Sequence, residues 1–413
     1  LNGMRVNPPG GEYFPFRNDF SVREAEQIEV VYGPGSTLYG QDAMSAVINV
    51  KTNRAPVPGE GWIRGGAEYG FNAEREIWAS FGESLDSGGD IRLSGYVQYH
   101  ESHLDDLRKE YPKWFEGYRQ GIENPSAARA MSRKDYGLNA FLRLELGDSL
   151  SIQSWFRESE RSSSEGYGPP VLYYVPEARW RDHSWVTEVK HSWEINDHLR
   201  LESAGTVNWY EVDPISRYVF PADSDSLFLD DYKYADGYSL AVEETLFIDV
   251  SENVDALIGG RFTHYDILPT ATVPGKAKPG SHQDIIDQAG SFVYYTEVGN
   301  PASRNEIPRA VEAEYQRYGV YGEFGWQITP DLRMIAGSGL EGDSRFDDLA
   351  VTPRAALIYN ISDRLTVKYS YAEAYISPSP YFSFATYDRG DVLNASNPDI
   401  SSETSRSHEV SLT

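Results

Sequence analysis

The chain has 413 residues, 63 acidic against 37 basic, and a net charge of −26, which argues against a polyanion such as nucleic acid as partner. It has no cysteine, so disulfides and thiolate metal sites are excluded. Tyrosine is abundant, with 29 residues, and no apolar run reaches the roughly 18 residues of a transmembrane helix. Only β-strands remain as a way across a membrane, since every second residue of a barrel strand faces lipid.

The first distinctive stretch is VYGPGSTLYGQDAMSAVINV, residues 31–50. Gly35 and Gly40 have the spacing of a phosphate-binding loop. Such a loop needs a lysine and a hydroxyl next, and Gln41 and Asp42 stand there instead. A carboxylate would repel phosphate, so a structural turn is expected. Gly33, Pro34 and Gly35 suit a tight turn after a strand over 28–31, because glycine accepts positive φ and proline presets φ. Ser36 and Asp42 suit hydrogen bonds to neighbouring backbone, and Ala46, Val47, Ile48 and Val50 read as the next strand.

From about residue 61 the pattern changes to strict alternation. In 136–146, Tyr136, Leu138, Ala140, Leu142, Leu144 and Leu146 share one face, against Gly137, Asn139, Phe141, Arg143 and Glu145. The same alternation recurs in 199–209, 318–328 and 365–371, which marks strands with one apolar and one polar face. Short polar turns fall at 147–149, 196–197, 251–253, 329–331 and 362–363. Long polar segments separate them at 102–134, 159–180, 212–236, 266–313 and 376–403. Short turn, strand, long loop, strand is the layout of an outer-membrane barrel, and Trp193 and Trp326 near the short turns suit an interfacial girdle. A soluble sandwich or propeller alternates too, but has no need of the asymmetry between its two ends. The fold expected is therefore all-β, a transmembrane antiparallel β-barrel. About fourteen strands fit between residues 61 and 413, against the 22 of plugged outer-membrane transporters, so about eight strands of such a barrel are expected outside this chain. Both ends look cut. Outward Leu142 should reject arginine, and inward Asn139 should accept it more readily.

The first 55 residues resemble the C-terminal half of the plug domain of TonB-dependent outer-membrane receptors. The pieces that match are LNGMRVN, AEQIEVVYGPGSTLYG and AMSAVINVKT, with Gly33, Pro34, Gly35, Ser36, Leu38, Tyr39 and Gly40 at the centre. Farther on, VTPRAALIYNISDRLTVKYSYAEAYISPSP and NPDISSETSRSHEVSL are similar to the family's late barrel segments. The resemblance implies a plug over 1–55 and an incomplete barrel with long extracellular loops over 56–413. It implies the outer membrane of a Gram-negative bacterium, with lipid around the wall. It implies energised uptake of a scarce small-molecule cargo, driven by the inner-membrane TonB–ExbB–ExbD complex through a TonB box that this chain lacks. A ferric siderophore is the first expectation, and an oligosaccharide, cobalamin or another metal chelate the alternatives. Haem is disfavoured, because 375–398 contains no histidine.

One position departs from the family. Tyr32 stands where a basic residue usually precedes Gly-Pro, so that plug cation is missing. Lumen-facing Arg143, Glu145, Arg200, Glu202, Glu323 and Lys368 are the expected compensation. The loop NPPGGEYFPFRND is expected to form the floor of the cargo pocket, with Tyr13, Phe14 and Phe16 stacking on cargo and Arg17 meeting an anionic group.

Other candidate chemistry is thin. His100 and His103 have no third ligand at a convincing spacing and read as solvated loop histidines. The aspartates between Asp223 and Asp236 lack the spacing of a calcium loop and read as a solvated acidic loop. SAARAMSR after Asn124-Pro125 reads as a short capped helix. No catalytic constellation, resident metal or cofactor is expected. The rival of another class is a non-transporting structural or adhesive barrel, against which the plug segment argues.

Overall fold

The computed structural model describes residues 1–11, 20, 22–55, 60–85, 90–104, 133–163, 179–220, 229–274, 281–295, 301–347, 349–388, 393–394, 396–397 and 399–413. Two strands open it. β1 (Ala25–Tyr32) pairs antiparallel with β2 (Ala46–Thr52), and a single helical turn, α1 (Ser36–Tyr39), lies between them. Gly33 and Gly40 bracket this turn at φ 81° and 77°, a region that only glycine enters without strain. Gly35 is at φ −116°, so positive φ is used at the first and last glycines of the motif and not at the middle one.

The wall follows: β3 (Gly61–Tyr69), β4 (Arg75–Ser84), β5 (Ile91–Leu104), β6 (Arg133–Leu146), β7 (Leu150–Ser162), β8 (Arg179–Asn196) and β9 (Leu199–Val212). After the short β10 (Arg217–Phe220) come β11 (Leu229–Ser251) and β12 (Val254–Pro274). A further helix, α2 (His282–Ala289), and the hairpin β13 (Ser291–Tyr295) and β14 (Arg304–Pro308) belong to the next long connection. β15 (Ala313–Thr329), β16 (Leu332–Asp343), β17 (Leu349–Ser362) and β18 (Leu365–Ile376) continue the wall. The turn α3 (Pro380–Phe384), the two-residue strands β19 (Tyr387–Asp388) and β20 (Leu393–Asn394), and β21 (Glu403–Leu412) complete the order.

Fourteen of these strands form one antiparallel path from β3 to β21, in chain order, with β10 attached to β11. All five predicted short turns join consecutive strands of the path, and the long connections gather at its other end. One revision concerns the acidic segment near Asp236. Strand β11 starts at Leu229, so Asp230, Asp231 and Asp236 lie on a strand rather than in a loop; Asp223 and Asp225 lie outside the described residues.

The two faces divide as the alternation predicts. Leu142, Val207, Val320, Phe324 and Trp326 are exposed on the outside, whereas Asn139, Phe141, Arg143, Glu145, Asn208 and Tyr321 are buried inside. The inside is buried by the plug. Arg23, just before β1, meets Glu68 of β3 at 3.0 Å and Glu76 of β4 at 2.6 Å. The hydroxyl of Ser36 donates to the Tyr375 carbonyl of β18 at 3.4 Å. One small unit thus touches both the second-last and the first strands of the path from the same face, so the sheet is rolled around it as a barrel wall. Among the described residues no ladder joins β3 to β21.

Candidate functional site: the plug seated in the barrel lumen

The plug meets the wall in two chemically different ways. Against β5 to β8 the contact is apolar. Leu1, Met4, Phe20 and Val50 pack on Tyr96, Phe141, Trp155 and Val186, with the Phe20 and Trp155 rings edge to face at 5.9 Å. Trp155 is completely buried, and its indole N–H donates to Asn139 Oδ1 at 2.9 Å, which also accepts from the Tyr96 hydroxyl at 3.0 Å. Side-chain amides then reach plug carbonyls: Gln153 donates to Asn2 at 3.4 Å and Asn208 to Asn7 at 2.8 Å.

On the opposite side, β12, β17 and β18 hold α1 through directed bonds. Thr37 donates to the Thr352 carbonyl at 2.6 Å. Arg261 of β12 donates from Nη2 to the Thr37 carbonyl and from Nη1 to that of Leu38, each at 3.1 Å. Its Nε lies 3.1 Å from Glu341, and its guanidinium sits over the Tyr321 ring at 4.4 Å. Gly339 of β16 makes this closeness possible. A Cβ there would stand 2.7 Å from Thr352 Oγ1 and 3.5 Å from Thr37 Cα.

Just past α1, Asp42 bridges plug and wall. It pairs with Arg5 of the plug and lies 3.4 Å from Arg317 of β15, which also meets Asp343 at 3.0 Å. Burial alone would raise the Asp42 pKa, but the guanidiniums of Arg5 and Arg317 outweigh it and hold the carboxyl below its ordinary 3.8. The expectation that Asp42 bonds backbone is thus replaced by a salt bridge to two arginines.

Tyr32, in place of the usual plug cation, is 77% exposed and opposite Ala46 on β2. Of the wall charges expected to compensate, Glu145 approaches the segment after β2, 3.8 Å from Arg54. Arg200 and Glu202 pair with each other, Glu323 pairs with Arg354 at 3.0 Å, and Lys368 is exposed. Arg317, Arg261, Arg64, Glu68 and Glu76 make the contacts instead; Arg64 lies 3.9 Å from Glu24.

The predicted cargo-contacting residues Tyr13, Phe14, Phe16 and Arg17 lie outside the described residues, as does the predicted helix after Asn124. The start of their loop is placed. Pro8, Pro9 and Gly10 are buried, and the Gly11 carbonyl accepts from Ser379, the cap of α3, at 3.1 Å. Above the Asp42 bridge, Tyr265 and Tyr315 stack at 4.6 Å, Arg345 covers Tyr315 at 4.2 Å, and Arg345 pairs with Asp343 at 2.6 Å. His100 is buried on β5, 3.9 Å from Glu74 and 4.0 Å from Glu76, so it is no solvated loop histidine. No group of three metal-ligating side chains occurs among the described residues.

Comparison with known proteins agrees with this architecture. Residues 1–47 match the model of the TonB-dependent receptor plug domain, and residues 280–413 that of the TonB-dependent receptor-like β-barrel. The vitamin B12 transporter BtuB of Vibrio vulnificus is 35% identical over 96 residues, covering 23% of this chain and 15% of that protein. The iron-regulated outer membrane virulence protein of Vibrio cholerae is 21% identical over 398 residues, covering 95% of this chain and 50% of that protein. A solved ferric enterobactin receptor of Pseudomonas aeruginosa superposes with a TM-score of 0.69 at 13% identity, over the whole of this chain and 60% of that one. The chain thus spans at most about half the length of these curated relatives. With plug and wall sequences each matching and the fold shared, the chain belongs to the TonB-dependent receptors, outer-membrane proteins of Gram-negative bacteria.

Proposed function

We propose that the complete receptor takes up a scarce solute from outside the cell, with a ferric siderophore as cargo, and that it is a transporter rather than an enzyme. The observation that carries this reading is a plug bonded into a barrel lumen. A purely adhesive barrel has no need to fill its interior, whereas a gated pore does. The plug comprises residues 1–55 and the wall 56–413, and Tyr13, Phe14, Phe16 and Arg17 form the pocket floor. Movement of the plug requires work, because the bonds at α1 and Asp42 must be broken, and the TonB–ExbB–ExbD complex supplies that work. The siderophore assignment draws on relatives concerned with iron, the virulence protein of V. cholerae and the ferric enterobactin receptor of P. aeruginosa. Vitamin B12 is the second reading, favoured by the 35% identity to BtuB over 96 residues.

The test is radiolabelled uptake by cells that carry the complete receptor as their only transporter of this family. Ferric siderophores and cyanocobalamin are offered separately, with and without active TonB. TonB-dependent accumulation of a ferric siderophore is expected. Accumulation of cyanocobalamin alone would replace the first reading with the second, and TonB-independent accumulation would overturn both.

A further inference from the structure

Four inward residues fall in one cross-strand row: Glu243 on β11, Arg261 on β12, Gly319 on β15 and Glu341 on β16. Register thus sets one arginine between two carboxylates. Gly319 brings the farther one within reach, because a Cβ there would stand 2.7 Å from the Glu341 carboxyl. An arginine in such a row is expected to fork onto a carboxylate, the strongest pairing open to a guanidinium. Arg261 does otherwise. Both of its terminal nitrogens donate to the plug, at the Thr37 and Leu38 carbonyls. Gly40 clears this approach, since a Cβ there would lie 3.0 Å from Arg261 Nη1.

The two carboxylates are used unequally. Glu243 accepts from the Tyr321 hydroxyl at 2.6 Å. Glu341 is 2% exposed, and its Oε1 lies 3.1 Å from Arg261 Nε. Neither of those two atoms makes a hydrogen bond among the described residues. The distance suits a bond and the alignment does not, for the guanidinium is turned toward α1. When α1 leaves the wall, Arg261 loses both carbonyl acceptors. A buried guanidinium without a partner is strongly unfavourable, and the nearest unused acceptor is Glu341.

We propose that Glu341 receives Arg261 during plug movement: the guanidinium turns from the Thr37 and Leu38 carbonyls onto the Glu341 carboxylate as α1 departs. The exchange replaces two bonds to neutral carbonyls by a charge-assisted fork, so the wall offsets part of the work of unseating α1. Arg261 is then a two-position element, each position favoured by a different partner. Glu341 acts through Arg261 and is a positioning residue. The inference rests on the reading that the plug moves during uptake, and it is independent of which cargo is carried.

The complete receptor, held in a lipid bilayer, would be pulled by its plug in a single-molecule force experiment, without cargo or TonB. The force at which the parent spends equal time seated and unseated is found first. At that force Glu341→Gln, which keeps the shape of the side chain and removes its charge, should lower the odds of the unseated state at least threefold. Gly319→Ala should do the same, because its methyl displaces the Glu341 carboxyl from Arg261. That carboxyl ends a flexible side chain, so the second variant assembles as the parent does. If Glu341 only steadied Arg261 against the plug, the odds would rise instead. Unchanged or raised odds in either variant would overturn the proposal. TonB-independent uptake by the parent would overturn the uptake reading and leave these odds as they are.

Discussion

Asp42 shows how one side chain fastens two parts of the molecule. It was legible as a polar residue suited to bond neighbouring backbone, but its partners Arg5 and Arg317 lie 37 and 275 residues away, and nothing local announces them. Arg317 is buried between Asp42 and Asp343, so Arg317→Leu takes one cation from each carboxylate while Arg5 and Arg345 remain, a loss below the about 3–5 kcal/mol of a fully broken buried pair. Thermal unfolding of the complete receptor in detergent should show it as a lower midpoint. The pH dependence follows from the depressed Asp42 pKa. The bridge contributes fully above the ordinary value of 3.8 and is lost as pH falls through the lower folded value, so plug retention should hold from neutral pH down to about 4. At the pocket floor, replacing Tyr13, Phe14 and Phe16 by alanine one at a time should weaken cargo binding by more than about 1 kcal/mol at one position or more. Barrel assembly should be unchanged, and three variants that bind like the parent would move the pocket to the long connections.

At the scale of elements, the strands were readable because period two records which side of the wall a residue serves. Leu142→Arg puts a cation into lipid and should cost about 2–4 kcal/mol near the middle of the bilayer. The inward control cannot be Asn139. Sequence favoured it as a tolerant lumen position, yet it is 1% exposed and accepts from both Tyr96 and Trp155, since the lumen is filled by the plug rather than by water. Arginine there removes two hydrogen bonds and overpacks the core. Thr206, inward on β9 and only partly buried, is the proper comparison. In a refolding assay in lipid, Thr206→Arg should cost clearly less than Leu142→Arg, and equal costs would contradict the two-faced wall. The α1 turn was legible only in its glycines. Its seating required Gly339 on β16, more than 300 residues away in the chain, and a glycine in a strand carries no sign of which loop will approach it.

For the molecule as a whole, alternation, turn chemistry and the resemblance of the first 55 residues sufficed for an all-β barrel with about fourteen strands and a plug. These are local signals: a face, a turn or a motif is written in neighbouring residues and needs no distant partner to be recognised. The departure at Tyr32 was legible too, but its remedy was not. Sequence pointed to Arg200, Glu202 and Glu323, which pair within the wall, while Arg261 and Arg317 carry the contact with α1 and Asp42. Many strands carry inward charges, and alternation ranks them equally. Only the rolling of the sheet determines which of them reach the plug and which meet another strand. Register between neighbouring strands places Glu244 beside an outward groove, a pairing across β11, β12, β15 and β16 that no single strand reveals. The sequence by itself determined the strands, their faces and the family, because these depend on short-range periodicity. The tertiary structure decided which charges meet, because that depends on register and curvature accumulated over the whole wall.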